Sequence, residues 1–354
     1  MNKNFWNGKN VLITGHTGFK GSWLTCMLKK FGANIIGFSK DIPTKPSLYE
    51  ILELENDVKG YQGDINDLNQ IRKIIVEERP EIVFHMAAQS LVRESYRKPH
   101  ETFTTNILGT VNLLEVIKNS KYPRVGLIIT SDKVYKNIGK NEKFSEEHPL
   151  GGNDPYSSSK GCAELVTSAY RNSFFNSRNF SDHNFSLSTV RAGNVIGGGD
   201  WAKDRLIPDI VRSIQNQNSL KIRNPNAIRP WQHVLDPLSG YIHLAEKMWK
   251  NKEFSEAWNF GPTFEEDKTV EFILNFIDKK MNKNFNIEFE NDSNLHEAKM
   301  LRLDSSKVEN RLGWKSKLNL ETSLLLTIEW YNEFINNSDM KKITEQQIEK
   351  FLSM

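Results

Sequence analysis

Cysteine is scarce in this chain, since Cys26 and Cys162 are the only two among 354 residues. Two thiols so far apart can build neither a disulfide framework nor a cysteine-rich metal cluster. The chain also lacks any apolar stretch of about 18 residues, the length that a membrane-spanning helix needs. Its first residues pass into a strand pattern without the apolar segment of a secretion signal. We therefore expect a cytoplasmic protein without a membrane segment.

An excess of one charge sign is also missing. Lysine and arginine number 47 against 44 aspartates and glutamates, a formal net charge of +3, and no long basic run occurs. Nucleic acid is therefore not an expected partner, because binding to it requires concentrated positive charge. The chain is 38% hydrophobic, which is enough for a packed core. Its length suits one large domain or two.

Short apolar runs alternate with amphipathic stretches through the first half of the chain. Predicted strands cover residues 11–14, 34–38, 81–87, 124–131 and 187–191, and predicted helices cover 22–31, 68–78, 106–119, 156–170 and 320–334. This alternation predicts an α/β fold of Rossmann type, a doubly wound parallel sheet. We expect residues 1–190 to form most of that domain, with part of the sheet returning later. Residues 191–354 would form mainly a smaller C-terminal lobe, with an appended helix after Asn337.

A glycine-rich turn joins the first predicted strand to the first predicted helix. Gly15, Gly18 and Gly21 stand at GxxGxxG spacing. Glycines in such a turn permit its tight path, the approach of backbone N–H groups to a pyrophosphate and close packing of helix on strand. The helix N-terminus adds partial positive charge. The turn therefore predicts a dinucleotide-binding loop, which also contains Thr17, Phe19 and Lys20.

The residues after the second predicted strand leave the choice of dinucleotide open. An acidic residue there would favour NAD, whereas Ser39 and Lys40 would tolerate the 2′-phosphate of NADP, and Asp41 lies just beyond. Asp64 has two equally good interpretations. It either contacts the adenine side of the cofactor or is the N-cap of the helix that follows.

Tyr156 and Lys160 stand four residues apart at the start of a predicted helix that opens with Pro155. Their side chains therefore share one helix face. A lysine at that distance is expected to lower the pKa of the phenol and make it a usable base. Ser131, Asp132 and Lys133 follow a predicted strand at the carboxyl edge of the sheet, where open α/β sheets bind ligands. These residues predict a catalytic centre.

Together, these motifs resemble those of the extended short-chain dehydrogenase/reductase family. The resemblance rests on the glycine turn, on HMAAQS from His85 to Ser90, and on Ser131 with Tyr156 and Lys160. TSDKVY is similar to the motif of nucleotide-sugar 4,6-dehydratases, with Lys133 in place of the usual glutamate. Residues 15–24, 191–209 and 229–241, and HEA at His296, resemble the members that act on CDP-linked glucose. Ser39 departs from the aspartate that relatives often carry.

The resemblance implies an NAD-dependent hydro-lyase that converts CDP-D-glucose to CDP-4-keto-6-deoxy-D-glucose, as in deoxysugar biosynthesis for lipopolysaccharide O-antigens. Tyr156, assisted by Lys160 and Ser131, would take the proton of the sugar O4 while a hydride passes from C4 to NAD. Asp132 would protonate the departing C6 hydroxyl, and Lys133 is the candidate base at C5. The hydride would return to C6, so the cofactor ends as it began.

The resemblance also implies binding residues and a partner. NAD would contact the glycine loop, Ser39, Asp64, Ile65, Ala87, Ala88, Gln89, Asn106, Tyr156 and Lys160. The nucleotide sugar would contact Ser90, Asn194, Trp201, Arg205 and Arg229. Helices 107–119 and 156–170 would join a second copy in a homodimer or homotetramer. His16, His85 and His233 lack metal-ligand spacing and are predicted to be loop or core residues.

Three alternatives stay open at this point. A nucleotide-sugar 4-epimerase needs the same tyrosine, lysine and NAD but no acid and base at C5 and C6, so Asp132 and Lys133 argue against it. A dehydratase of dTDP- or GDP-linked sugars differs only in its nucleotide. A non-catalytic regulatory protein that binds NAD commonly loses the tyrosine or the lysine, and both are present here.

Overall fold

The computed structural model describes residues 1–139, 142–222, 224–263, 268–281, 286–289 and 301–354. HEA at His296 lies outside these residues. The strands are β1 Asn10–Thr14, β2 Asn34–Ser39, β3 Lys59–Gln62, β4 Ile82–His85, β5 Val125–Ile129, β6 Ser186–Ala192, β7 Val195–Ile196, β8 Leu220–Ile222, β9 Ile228–Arg229, β10 Gln232–His233, β11 Ala257–Phe260, β12 Lys268–Thr269 and β13 Ile287–Phe289.

The helices are α1 Lys3–Trp6, α2 Phe19–Lys30, α3 Leu48–Ile51, α4 Leu68–Glu78, α5 Val92–Arg97, α6 Pro99–Phe103, α7 Gly109–Lys118, α8 Pro155–Ser173, α9 Phe180–His183, α10 Leu206–Asn216, α11 Leu235–Lys250, α12 Val270–Met281, α13 Leu320–Ile335 and α14 Met340–Ser353. A π-helical turn, Thr104–Leu108, joins α6 to α7. Within the described ranges, no helix combines the length and the apolar character that crossing a bilayer requires.

Seven parallel strands form the central sheet in the order β11-β6-β5-β4-β1-β2-β3. The chain builds outward from β1 to β3 on one side, then returns to β4 and builds outward on the other. The strand order therefore reverses between β1 and β4. In open α/β sheets, such a reversal opens a crevice at the carboxyl ends of the strands. This architecture confirms the predicted Rossmann-type fold.

Side chains on the two faces of the sheet enter two separate cores. Val11 and Ile13 pack into one core with Trp23 of α2, whereas Leu12 packs into the other with Ile75 of α4. Successive residues of a strand point to opposite faces, so one buried strand supplies both cores. Continuous apolar strands such as β1 and β5 are therefore explained by burial on both sides.

The helix predicted after Asn337 is present as α14. Asp339 caps it by accepting from the Lys342 N–H. Its apolar side chains, including the fully buried Phe351, join the larger core, and Thr344 Oγ1 accepts from Trp330 Nε1 of α13 at 3.0 Å. Helices α13 and α14 therefore pack against each other and against the larger core.

Leu324 and Leu325 of α13 provide a matched test of that packing. Leu324 is fully buried, while Leu325 is 39% exposed. We expect Leu324→Ala to lower the free energy of unfolding by about 3 kcal/mol, because it leaves a cavity, and Leu325→Ala to lower it by less than about 1 kcal/mol. Urea unfolding followed by circular dichroism measures both. Equal losses would contradict this placement of α13.

Candidate active site

A cleft of about 1190 Å³ lies at the carboxyl ends of the strands, where the strand order reverses. It is lined by the predicted Gly15, Thr17, Gly18, Phe19, Lys20, Gly21, Ser39, Asp64, Ile65, Ala87, Ala88, Gln89, Ser90, Ser131, Asp132, Lys133, Tyr156, Lys160, Asn194, Trp201, Arg205 and Arg229. Asn106 is the one predicted site residue that does not line it. Residues from both halves of the sequence thus meet in one space.

The glycine turn folds as tightly as its spacing predicts. Gly15 has a φ of +75°, and a Cβ there would lie 2.7 Å from the backbone nitrogen of Ala87. A Cβ on Gly21 would lie 2.3 Å from the Gly15 carbonyl oxygen. Both positions therefore exclude side chains, since only glycine adopts the first conformation freely and only glycine permits the second contact.

The first turn of α2 has the features of an anion site. Its N-cap is Gly18, and no side chain caps the helix. The N–H groups of a helix start need acceptors and attract negative charge. With the glycine turn beside them, they fit the pyrophosphate of a dinucleotide.

The side chains at the end of β2 form hydrogen bonds within the protein. Ser39 Oγ lies 2.8 Å from His16 Nδ1, and Thr17 Oγ1 donates to the Asp41 carbonyl at 2.6 Å. The His16 ring covers Gly37, where a Cβ would lie 2.5 Å from it. Burial lowers the pKa of His16 to about 4. His16 is therefore a neutral ring packed under the turn.

Asp64 lies at the rim of the cleft and is not a helix cap. It accepts from the backbone N–H of Asn66 at 2.9 Å and pairs with Lys40 Nζ at 3.2 Å. Asp67 is the N-cap of α4 instead, accepting from the N–H groups of Asn69 and Gln70. The N-cap interpretation of Asp64 is thus wrong, because three further residues precede the helix.

The loop after β4 is held in place from behind. Thr14 Oγ1 accepts from the N–H groups of Met86 and Ala87, both at 3.1 Å. Asn106 accepts from the Gln89 N–H at 2.9 Å and donates to Ser159 Oγ at 2.8 Å. Asn106 therefore supports the cleft wall from its buried position and does not reach into the cleft.

Ser131, Tyr156 and Lys160 come together as predicted, but the electrostatics differ from expectation. Burial raises the pKa of the Tyr156 phenol, and a hydrogen bond with Ser131 and the charge of Arg205 oppose that rise. Lys160 Nζ instead donates to the Ile129 carbonyl at 2.9 Å, and burial lowers its pKa to about 8. Arg205 is a cation that lowers the pKa of Tyr156, and the lowering expected from Lys160 stays a prediction.

Asp132 and Lys133 add an acid and a base to the same wall. Asp132 is buried, and its Oδ1 accepts from Ser131 Oγ at 3.0 Å. Lys133 is half-buried, with Nζ 4.0 Å from Asp132 Oδ1. Lys20 also lies near this group, because Arg205, Asp132 and Lys160 all influence its pKa, which burial lowers to about 8. The sequence placed Lys20 beside a cofactor phosphate and did not predict that it lies near Asp132, Lys160 and Arg205.

A buried ion pair fixes the catalytic helix to the strands. Arg191 of β6 donates to both carboxylate oxygens of Glu164 on α8, at 2.9 and 2.8 Å. Glu164 also accepts from Thr130 Oγ1 at 2.5 Å and from Thr189 Oγ1 at 2.6 Å. Glu164 lies one helical turn after Lys160, and Thr130 immediately precedes Ser131. This network therefore sets the spacing between α8, which carries Lys160, and the end of β5, which Ser131 follows, and no motif in the sequence pointed to it.

Arg205 and Arg229, from the second half of the sequence, line the part of the cleft that we call the far wall. Arg205 Nη1 donates to Asp200 at 2.8 Å, and Arg205 Nη2 donates to Ser90 Oγ at 3.3 Å. Arg229 is buried and donates to the Ile228 carbonyl at 3.0 Å. Trp201 is largely buried, with its ring centroid 5.3 Å from that of Tyr331.

The three histidines lie where the sequence predicted. His85 bridges Thr14 and Thr110, and His233 is fully buried, so both belong to the core. In the part of the chain that the structure describes, no cluster of three or more histidine, cysteine, aspartate or glutamate side chains could hold a metal ion.

The chain is similar in sequence to known nucleotide-sugar dehydratases. Residues 12–326 match the sequence model of the GDP-mannose 4,6 dehydratase family. A CDP-glucose 4,6-dehydratase of Salmonella typhimurium is 50% identical over 354 residues, covering 100% of this chain and 99% of that protein. The human dTDP-D-glucose 4,6-dehydratase is 25% identical, covering 97% of this chain and 95% of that protein.

Solved structures share the fold. An epimerase of Methanothermobacter thermautotrophicus superimposes with a TM-score of 0.83 at 23% identity, covering 96% of both chains. A dTDP-glucose 4,6-dehydratase of Bacillus anthracis in complex with NAD gives 0.77 at 24% identity, covering 94% of this chain and 99% of that one. At such identities the likeness establishes the architecture alone.

The Glu164–Arg191 pair gives a testable stability change. Burial alone would raise the pKa of Glu164, but Arg191 and the hydroxyl donors hold it below its ordinary value of 4.5. Glu164→Gln should therefore cost about 3 kcal/mol near neutral pH, because it leaves the Arg191 guanidinium buried without a counter-charge. A carboxylate with a lowered folded-state pKa stabilises the protein above its unfolded-state pKa, so the difference from wild type should shrink as the pH falls below about 4.5.

Urea unfolding between pH 7.5 and pH 4 measures this difference. Glu77→Gln is the matched control, because Glu77 forms only an exposed pair with Lys73 and should change stability by less than about 1 kcal/mol. A cost for Glu164→Gln that equals the control would show that the buried pair contributes nothing.

Proposed function

The chain belongs to the GDP-mannose 4,6 dehydratase family, and from this we propose that it dehydrates CDP-D-glucose to CDP-4-keto-6-deoxy-D-glucose with NAD as its cofactor. The observation that carries the proposal is that Asp132 and Lys133 stand beside Ser131 and Tyr156 in one cleft. A tyrosine that takes the hydroxyl proton during hydride transfer suits many reactions of a sugar alcohol. An adjacent acid and base suit the removal of water. The 50% identity to the Salmonella typhimurium enzyme supports CDP-glucose as the substrate.

The protein's own contacts favour NAD over NADP. The uncapped start of α2 and the glycine turn would hold the pyrophosphate, and Lys160 would contact the nicotinamide half. Lys40, the cation nearest the end of β2, pairs with Asp64 at 3.2 Å and lies 3.9 Å from Glu101. A 2′-phosphate would therefore meet carboxylates as well as the lysine. When bound, NAD supplies a hydride acceptor for the sugar C4 and later a donor for C6.

Tyr156 takes the proton of the sugar O4 in the first step. Its pKa is raised by burial, so the phenol needs help to act as a base. Ser131 supplies a hydrogen bond and Arg205 supplies positive charge, and both stabilise the phenolate relative to the phenol. Ser131 also orients the oxygen that loses its proton.

Asp132 and Lys133 carry out the elimination. A ketone at C4 acidifies the C5 hydrogen, and Lys133 is the base that takes that proton. Asp132 gives its proton to the C6 hydroxyl, which leaves as water while a double bond forms between C5 and C6. Their separation of 4.0 Å lets both act on adjacent carbons.

The diphosphate of the substrate fits the far wall. Arg205 and Arg229 provide guanidinium groups, which bind phosphate oxygens with strong, charge-assisted hydrogen bonds. Ser90, Asn194 and Trp201 line the cleft beside them.

Self-association through α7 and α8 completes the proposal. Leu108, immediately before α7, is 52% exposed and Leu165 of α8 is 59% exposed. Large apolar side chains on neighbouring helices suit burial against a second copy, in a homodimer or homotetramer.

A substrate panel tests the proposed reaction. Purified protein with NAD should remove one water from CDP-glucose and leave dTDP-, UDP- and GDP-linked glucose unchanged, as measured by mass spectrometry of the sugars. Conversion without a change of mass would favour a 4-epimerase. Loss of water from another nucleotide sugar would move the proposal to that nucleotide, and no turnover at all would favour a binding protein.

Lys133→Met tests the elimination step. Loss of a general base typically slows a reaction by about 10²–10⁴-fold, so water loss should fall by at least about 100-fold. The control is Lys136→Met, because Lys136 is an exposed neighbour that does not line the cleft, and this variant should keep normal rates. Dehydration by Lys133→Met at the normal rate would remove Lys133 from the mechanism.

A further inference from the structure

The segment from Gly197 to Asp204 has no regular secondary structure, yet side chains from three helices hold its carbonyl groups. Trp23 Nε1 of α2 donates to the Gly198 carbonyl at 2.9 Å, and Tyr331 Oη of α13 donates to the Asp200 carbonyl at 2.5 Å. Arg212 of α10 donates to the carbonyls of Trp201 and Ala202, at 2.8 and 3.0 Å. Buried irregular backbone needs such partners, so this loop has one fixed path.

Helix α13 forms the surface on which the loop rests. A Cβ on Gly198 would lie 2.0 Å from Cγ of Trp330, so the chain passes directly against that indole. Trp201 packs edge-on against Tyr331 and lies 5.0 Å from the ring of Phe334. Helix α14 supports α13 in turn, because Gln347 donates to the Leu326 carbonyl at 2.8 Å. Helices α13 and α14, which do not line the cleft, therefore help to set the path of the loop.

Because the backbone of the loop is fixed, Asp200 in the loop holds the Arg205 side chain in place in the cleft. Asp200 is buried, its Oδ1 accepts from the Ala202 N–H at 3.1 Å, and its Oδ2 accepts from Arg205 Nη1 at 2.8 Å. Arg205 also contacts Ser90 on the opposite wall. These two bonds use two of the five N–H groups of a guanidinium. The other N–H groups remain for a ligand, as far as the described residues show.

We propose that Asp200 and Tyr331 are positioning residues, which hold the Arg205 guanidinium at the place where it binds the substrate diphosphate. This inference rests on the proposed function. A long side chain that is already ordered loses little conformational freedom when the ligand arrives, so the fixed arginine binds more tightly than a mobile one. The contact acts on binding, and neither residue touches the reacting sugar carbons.

Tyr331→Phe and Asp200→Asn are the variants that test the proposal. The first removes one hydroxyl and keeps the ring, and we expect KM for CDP-glucose to rise about five-fold. The second weakens a charge-assisted bond, and we expect a rise of about thirty-fold. In both variants KM should change by a larger factor than kcat, because Arg205 binds the diphosphate directly and acts on Tyr156 only through its charge.

Calorimetric titration with CDP alone separates this inference from the proposed reaction, because it needs no turnover. The dissociation constant of CDP should rise by the same factors, while that of NAD stays unchanged. A wild-type protein that binds CDP but dehydrates no sugar would overturn the proposed function and leave the titration valid. A wild-type protein that does not bind CDP would overturn this inference.

A double-mutant cycle decides whether the two residues act through Arg205. In an Arg205→Met background, Tyr331→Phe should have no further effect on CDP binding. Tyr61→Phe is the matched control, since it loses an equally short bond of 2.5 Å to Glu78 away from the cleft, and it should leave CDP binding unchanged. The same loss in both backgrounds, or no loss in either variant, would overturn the proposal.

Discussion

The buried pair of Glu164 and Arg191 is the constraint on which the catalytic geometry depends. Two charges removed from water are costly, and they are retained only where their partners are complete. Here every carboxylate oxygen has two donors, from Arg191, Thr130 and Thr189. The pair thereby locks α8 to β5 and β6 at one register. That register sets the distances between Ser131, which follows the strand, and Tyr156 and Lys160 on the helix.

Much of this architecture could be predicted, because burial on both faces leaves continuous apolar strands such as β1 and β5. Strand β3 was missed because its sequence, KGYQ, has no apolar run. It pairs with β2, and the side chain of Tyr61 packs against the smaller core. Strand β11 was foreseen only as an unspecified return of the sheet. Its pairing with β6 joins residues 68 positions apart in the sequence, and no local pattern encodes such a contact.

The site was predictable where chemistry concentrates in a short motif. The glycine turn and the Tyr156–Lys160 spacing are local, and both led to the cleft. The placement of Arg205 in one cleft with Tyr156 is not local, because it depends on where a loop from the second half meets the sheet. The bond from Arg205 to Asp200 spans only five residues, but it was not predicted. Asn106 was assigned to cofactor binding by resemblance, but it bonds to Gln89 and Ser159 behind the cleft wall, so its contact with the cofactor stays a prediction.

The charge of the cleft connects its two halves. Burial, together with smaller contributions from the neighbouring cations Arg205 and Lys160, lowers the pKa of Lys20 to about 8, and Asp132 is the carboxylate that opposes this shift. Cations held this close repel one another, which destabilises the arrangement by itself. Anions reverse that balance, and a dinucleotide and a nucleotide sugar each bring two negative phosphates. The positive charge of Lys20, Lys160 and Arg205 is therefore better explained as complementarity to bound diphosphates than as a contribution to folding, and under the proposed function Arg205 would serve both substrate binding and the acid–base balance at Tyr156.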